Sequence, residues 1–387
     1  MRILFLSSAY LPDAVGGIEM LMLQACRLLG SHGHSVEIIT AEAEGPDQVE
    51  GVPVHRLNLI QPIKARDPRA LLAVDRRLRE LIQSFQPTIV HSHDMGALLW
   101  FYQRTPQATA PQRPPLIVSV HNVMTQHLEL QNLSPISFTR MGRLLESADW
   151  VTAVAHDCLR DILSYAPSIA NRLEHLPNGV MPPSHPPGDP DPDQLLCVGR
   201  LVPQKGFDRA IEAMVAIRTR RPTARLLVVG LGPEAKALQA QAARLGLQDV
   251  IHFLGLQDGE SVRQLMARSA LVLMPSRYEG LPLVALETAW AGRPVVASDC
   301  AGLNEAVLAD VTGVLVPEGD VPALAGAVLA LLEDQPRAAR LGAAARARAE
   351  SEYSLDRYVS NCESLYCRLS SIRDYAVEAP LRSGPIP

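Results

Sequence analysis

Two doubly wound α/β domains are the architecture this sequence predicts, and three observations predict it. Short, continuous apolar runs alternate with segments of helical period over nearly the whole chain, as when helices cover both faces of a parallel sheet. The alternation breaks once, at the Pro/Asp/Gly-rich stretch Pro177–Pro192. The length of 387 residues also exceeds what one ordinary hydrophobic core serves.

In the first half the strand-like runs are Ile3–Leu6, Val36–Thr40, Thr88–His91, Leu116–Val120 and Trp150–Val154. Helical segments such as Glu19–Leu29, Pro68–Phe85 and Phe138–Ser147 separate several of them. The proline-rich stretch cannot join a sheet or a helix interior, because proline fixes φ and has no N–H to donate. A linker is therefore placed at 181–193, after a first domain of 1–180. Asp189, Asp191 and Asp193 superficially offer a D-x-D metal pair there. In such a spacer they read as solvated charges.

The second domain, 194–350, repeats the pattern with strands at Leu195–Gly199, Arg225–Val229, Val250–Leu254, Leu271–Pro275, Pro294–Ser298 and Gly313–Val316. Its helical segments include Phe207–Arg218, Pro233–Leu245 and Ser261–Ala267. An Ala/Leu/Arg region from Val321 to about Ile372 is interrupted at Ser351–Ser354, which predicts a separate helix over 351–375 lying back across the first domain. The tail 376–387, with Pro380, Pro385 and Pro387, is expected to fray.

Composition excludes several classes. An apolar share of 47% with 20% charged residues is that of a folded globular enzyme. A formal net charge of -5 provides no basic excess for nucleic acid. The six cysteines contain no C-x-x-C pair, which fits free thiols in a reducing cytosol. The apolar start Met1–Ser8 is too short for a signal peptide, and no run of about 18 apolar residues could span a membrane. The expected location is cytoplasmic, with peripheral contact at the inner face of a membrane left open.

Ligands of open parallel sheets bind beyond the carboxyl ends of the strands, so the polar residues and glycines placed there carry the chemistry. Gly16-Gly17-Ile18-Glu19 ends the first loop and opens a helix, whose free N–H groups suit a phosphate or an acceptor. Arg200 and Lys205 lie between Gly199 and Gly206, before another helix, where two cations would neutralise a diphosphate both bound and departing. Glu279 precedes a largely apolar helix and Glu287 projects from within it. A carboxylate in that setting needs a partner, and vicinal hydroxyls supply one.

His121 ends a first-domain strand and faces the crevice, as either a satisfied core residue or a catalytic, substrate-orienting one. His91, His93 and Asp94 follow the preceding strand without further ligands for zinc. Gly230-Leu231-Gly232-Pro233-Glu234-Ala235 matches a relaxed dinucleotide fingerprint but follows the second strand of its domain, so a phosphate turn fits better than an NAD site. Lys64, Arg66, Arg69, Arg76, Arg77 and Arg79 form a basic cluster that reads as a solvated face, with an anionic acceptor or lipid surface as the alternative.

Together these motifs resemble the retaining GT-B glycosyltransferases of family 4, over nearly the whole chain. Gly-Gly-Ile-Glu, Val-His-Asn and Leu-Pro-Asn-Gly-Val come first. Val-Gly-Arg-Leu with Gln-Lys-Gly, Glu-Gly-Leu-Pro-Leu-Val-Ala-Leu-Glu, Gly-Leu-Asn-Glu and Thr-Gly-Val-Leu-Val-Pro follow in order.

The resemblance implies two Rossmann-like domains facing across a cleft, and retaining transfer of a hexose-type sugar from a nucleotide-sugar, with UDP favoured, to an acceptor hydroxyl in bacterial glycan synthesis. It implies no metal and no other cofactor. By position, Arg200 and Lys205 become the diphosphate clamp, Glu279 and His121 the donor-sugar contacts, and Glu287 the ribose contact. Gly280, Leu281 and Leu283 line the donor, and Gly16 and Gly17 face phosphates and acceptor.

Two departures stand out. Ala301-Gly302 and Asn304 replace the usual Gly-Gly and proline of the donor-side loop, and Met181 replaces an acidic residue. Acceptor loops are expected around Met124–Pro135. The alternatives are a nucleotide-sugar epimerase, a glycan phosphorylase, an NAD-dependent dehydrogenase or a catalytically silent sugar-nucleotide sensor.

Overall fold

A computed structural model of the chain describes residues 1–11, 16–93, 95–126, 136–183 and 188–378. The first sheet has eight strands: β1 (Arg2–Ser7), β2 (Ser35–Thr40), β3 (Gln48–Val49), β4 (Val52–Arg56), β5 (Ile89–Ser92), β6 (Leu116–Val120), β7 (Trp150–Ala153) and β8 (Leu173–His175). Their order is β3-β4-β2-β1-β5-β6-β7-β8. All neighbours are parallel except the short β3–β4 hairpin.

The second sheet is parallel throughout. It contains β9 (Asp191–Val198), β10 (Arg225–Val229), β11 (Ile251–Gly255), β12 (Ser269–Met274), β13 (Val295–Asp299) and β14 (Gly313–Pro317), in the order β11-β10-β9-β12-β13-β14. The chain steps outward from β9 through β10 to β11, then resumes at β12 on the other side of β9. That reversal opens a crevice between the carboxyl ends of β9 and β12. The first sheet has the corresponding switch between β1 and β5. These two crevices hold most of the residues singled out above.

Four features differ from the sequence reading. The spacer is shorter than 181–193, because Asp191 and Pro192 already belong to β9. Asp191 pairs with Arg225, and Asp193 with Arg221 at 2.5 Å, so these carboxylates anchor a strand start. Strand β4 contains Pro53 and went unread; its ladder with β2 uses Val54, His55 and Arg56 and leaves the proline outside. Strand β8 is only three residues long. The region after Val321 forms three helices, Val321–Glu333, Gln335–Glu352 and Leu355–Glu378, with the added break at Asp334, whose carboxylate caps the Arg337 N–H.

The last helix packs on Gly17–Ser31. Tyr358, Val359, Cys362 and Tyr366 share a core with Ile3, Phe5, Leu21 and Met22. Gly179 lies beneath it, where a Cβ would stand 2.7 Å from the Tyr358 Cβ. Residues 379–387 of the expected tail, and 127–135 of the expected acceptor loop, lie outside the described residues. No helix among the described residues is long and apolar enough to cross a membrane.

Candidate active site

Two loops leave the switch point of the second sheet. After β9 the chain passes Gly199 and Arg200 and makes a single 3-10 turn, Pro203–Lys205. Gly206 follows at φ 64°, with its α-carbon against the Pro275 carbonyl, so only glycine fits. After β12 come Ser276, Arg277, Tyr278 and Glu279. Several contacts hold the two loops together. The Arg277 N–H donates to Gln204 O at 2.8 Å, Gln204 Nε2 donates to Tyr278 O at 3.1 Å, and the Arg277 guanidinium pairs with Asp208 at 3.0 Å.

This clamp brings Lys205 and Glu279 together. Lys205 Nζ donates to Glu279 Oε1 at 2.7 Å, and Ser276 Oγ donates to the same oxygen at 2.7 Å. Glu279 is only 4% exposed, so the ion pair is what makes an ionised carboxylate tolerable there. Arg200 is exposed on the same loop as Lys205, ahead of the 3-10 turn, where its charge acts on Glu19 and on Tyr278. Thus the structure gathers Arg200, Lys205 and Glu279 at one crevice.

The segment Glu279–Leu283 is also the seam between the domains. The α-carbon of Gly280 sits against the His121 carbonyl, and a side chain there would overlap it. Gly302, at φ 76°, packs in the same way on the Gly280 carbonyl. Asn178 Nδ2 donates to Leu281 O at 2.8 Å, and the open face of Gly17 meets the Leu283 side chain. Glycine at these positions serves close backbone approach. The same holds for Gly230 and Gly232, which abut the carbonyls of Gly199 and Leu201; packing of two loops thus accounts for the fingerprint-like glycines without a bound phosphate.

His121 meets the seam with its backbone, and its ring turns elsewhere. Its Nε2 lies 2.7 Å from Nδ1 of His93, with the rings stacked at 4.9 Å between centroids. His91 continues the row, hydrogen-bonded to Tyr366 OH and Ser119 Oγ at 2.7 Å each. Burial pushes the His121 imidazole down to about 4, partly offset by the Asn178 side chain, and His91 down to about 3. Burial likewise holds His93 far below the usual histidine range. All three are neutral at pH 7. They form a hydrogen-bonding row and supply neither a cation nor a base poised near neutrality.

At the first-domain crevice, the helix Gly17–Ser31 starts after Gly16 and carries Glu19 in its first turn. The Glu19 carboxylate folds back on Gly16 and accepts from the backbone N–H groups of that turn. Burial raises its pKa, while those bonds and the Arg200 charge oppose the rise. The protein's own carboxylate therefore occupies the anion position expected at this helix start.

Glu287 stands apart from the Lys205–Glu279 pair. It lines a cleft together with Gln24, Met181, Arg263 and Trp290, drawn from both domains and the spacer. Burial pushes its carboxyl up to about 7, with Arg263 opposing. Trp290 Nε1 is buried there without a hydrogen-bond partner among the described residues. Asn178, His93 and Glu19 fall within or beside the motifs read from the sequence, which give them no role of their own; Ser276 has no local signal at all.

The family model for glycosyl transferases group 1 matches residues 185–348, and that for glycosyltransferase family 4 matches residues 15–182. A glycogen synthase of Mycobacterium tuberculosis is 28% identical, over 91% of this chain and 91% of its own. A GDP-mannose-dependent monoacylated alpha-(1-6)-phosphatidylinositol monomannoside mannosyltransferase of Corynebacterium glutamicum is 30% identical, over 69% of this chain and 77% of its own. The crystal structure of Anabaena Alr3699/HepE in complex with UDP and glucose shares the fold with a TM-score of 0.77 at 21% identity, covering 94% of this chain and 99% of that one.

Proposed function

This chain belongs to the family 4, group 1 glycosyltransferases of GT-B fold, which use sugar-nucleotide donors, and on that premise we propose that it transfers a hexose with retention of configuration and without a metal ion. The observation that carries the reading is the Lys205–Glu279 pair at the switch point, with Arg200 beside it.

Retaining transfer at one face of the sugar requires the leaving diphosphate to be stabilised where the acceptor hydroxyl arrives. Arg200 and Lys205 supply two cations on the loop after β9, Lys205 held in place by Glu279, so developing negative charge meets positive charge already at hand. Lys205 is neutralised by Glu279 before the donor enters. A diphosphate at Lys205 frees the Glu279 carboxylate to accept from donor-sugar hydroxyls. His121 is neutral and its Nε2 is taken by His93, so its Nδ1, which has no hydrogen-bond partner among the described residues, is the atom left to orient the donor sugar. It does not act as general base, and the departing phosphate oxygen accepts the acceptor's proton.

Glu287 and the orphan Trp290 N–H suit the nucleoside end: a carboxylate accepts from ribose hydroxyls, and a buried N–H needs an acceptor. UDP is the donor nucleotide we favour, and UDP in the Anabaena neighbour supports it. The GDP-mannose-dependent relative makes a GDP-sugar the alternative.

The acceptor class is proposed to be a hydroxyl of a bacterial glycan or glycolipid, reached by a cytoplasmic enzyme at the membrane's inner face. Lys64, Arg66, Arg69 and Arg76 are exposed beside the exposed side chains of Ile63 and Leu72, a composition that binds anionic lipid surfaces.

A thermal-shift panel of UDP, GDP, ADP, their sugars and NADH, each with and without EDTA, tests the proposal. Stabilisation by one nucleoside diphosphate family, unaffected by EDTA, is expected. Preference for NADH, or binding lost in EDTA, would overturn it.

A further inference from the structure

Away from the crevice, the two domains meet at a second polar cluster. His156 opens the helix His156–Tyr165 just after β7, and His175 ends the neighbouring strand β8, paired in register with Ala153. Glu305 reaches them from the second domain, on the short helix Leu303–Ala306 after β13. His156 Nδ1 lies 3.1 Å from Glu305 Oε2, and His175 Nε2 lies 2.9 Å from Glu305 Oε1. The two imidazole centroids are 4.2 Å apart. Among the described residues, this is the one set of three His, Cys, Asp or Glu side chains whose ligand atoms all fall within 4.8 Å of one another.

Two imidazole nitrogens and a carboxylate oxygen are the donor set of three-ligand zinc sites, with water completing the tetrahedron; magnesium and calcium prefer oxygen alone. Ligand atoms about 2 Å from a tetrahedral ion stand roughly 3.3 Å from one another. The two imidazole–carboxylate spacings lie near that value, and the imidazole nitrogens lie within 4.8 Å of one another. Backbone contacts hold Glu305 as well. Glu305 Oε2 accepts from the His156 backbone N–H at 2.7 Å, and Arg348 Nη1 donates to the Glu305 carbonyl at 2.8 Å. Binding an ion would replace the two imidazole–carboxylate contacts and the 3.2 Å contact of His175 Nε2 with Val154 O.

We propose that His156, His175 and Glu305 form a zinc-class metal site that bridges the two domains and arrests turnover by holding them together. The loop carrying Glu305 also carries Gly302, which packs on Gly280 at the domain seam. An ion there fixes the loop that must move if the donor is to enter and the nucleotide to leave. Metal binding stands on geometry alone; the arrest rests on the proposed glycosyl transfer. The site is separate from Lys205 and Glu279, and the ion is inhibitory, with no part in the chemistry.

The test titrates the full chain with Zn²⁺ against a chromophoric chelator, and with Co²⁺ for its visible absorption. One equivalent should bind with a tetrahedral Co²⁺ spectrum. His156→Ala and Glu305→Gln should weaken binding by at least the roughly 10–100-fold that loss of an outer-shell partner costs. His156 is exposed, so its replacement leaves the fold standing. His32→Ala is the control, because Glu363 also takes His32 and His34 at 2.9 and 3.0 Å on a different surface. Absence of stoichiometric binding, or binding indifferent to His156→Ala, would overturn the site. Zn²⁺ should inhibit the wild type reversibly by chelator and spare His156→Ala. Binding without inhibition would overturn the arrest.

Discussion

Lys205 Nζ and Glu279 Oε1 stand 2.7 Å apart, and the two residues reach that distance from the strands that flank the switch point of the second sheet. Neither loop makes the site alone. The clamp through Gln204, Arg277 and Asp208 fixes the pair before any donor is present.

Removing one member therefore does two separable things. Lys205→Ala or Glu279→Gln should lower kcat by about 10²–10³, the usual cost of losing one preorganised charge stabiliser. Lys205→Ala should also lower Tm, because among the described residues it leaves that buried carboxylate with Ser276 as its side-chain hydrogen-bond partner. The double variant Lys205→Ala/Glu279→Gln should regain much of that Tm and none of the turnover. A double variant less stable than Lys205→Ala would contradict the pairing.

Glu287 carries a pH dependence. Its carboxyl is raised from the ordinary 4.5 to about 7 by burial, so the folded state holds the proton more tightly than the unfolded chain. The resulting stability is fully present below 4.5 and is lost as pH rises through 7. Glu287→Gln should accordingly gain Tm on the wild type between pH 5 and pH 8. If ribose hydroxyls donate to the ionised form, the wild-type nucleotide Kd should fall by about tenfold from pH 6 to pH 8 and stay flat in Glu287→Gln. Equal slopes in titration calorimetry would remove Glu287 from the site.

The buried histidines act with the opposite sign. His121, at about 4, and His91, at about 3, bind fewer protons folded than unfolded. Stability should be complete above the ordinary 6.5 and fall as pH drops toward 4. His121→Gln should flatten that fall in urea midpoints. The pH profile of kcat/KM should show no histidine step between 6 and 7. Such a step that vanished in His121→Gln would make His121 a general base and contradict its neutral, orienting role.

Gly280 tests the seam. Gly280→Ala forces a Cβ onto the His121 carbonyl and should weaken nucleotide binding by an order of magnitude or more, since about 1.4 kcal/mol of distortion is tenfold. Gly30→Ala, whose Cβ meets nothing within 4 Å on the helix Gly17–Ser31, should raise stability by about 0.5–1 kcal/mol. Calorimetry on both variants separates a positional effect from a general one.

The parallel-strand runs and the motifs at their carboxyl ends carry much of this in the sequence, because a doubly wound sheet puts loop residues such as Arg200, Lys205 and Glu279 at one edge wherever they fall along the chain. Partnerships were illegible. Nothing in local spacing tells that Ser276 shares an oxygen with Lys205, that Glu19 fills its own helix start, or that His93 meets the His121 ring. Those contacts join segments tens of residues apart, or depend on which way a side chain folds back. Strand β4 was hidden by Pro53 and β8 by its length, and Asp191 reads as spacer until Arg225 is placed beside it.

The most direct test of retaining, metal-free transfer is proton NMR of the product's anomeric centre, using the α-linked donor that the thermal-shift panel selects, in buffer containing EDTA. The account predicts an α-linked product formed by the wild type and not by Lys205→Ala. A β-linked product, or one that forms only after a divalent metal is added, would contradict it.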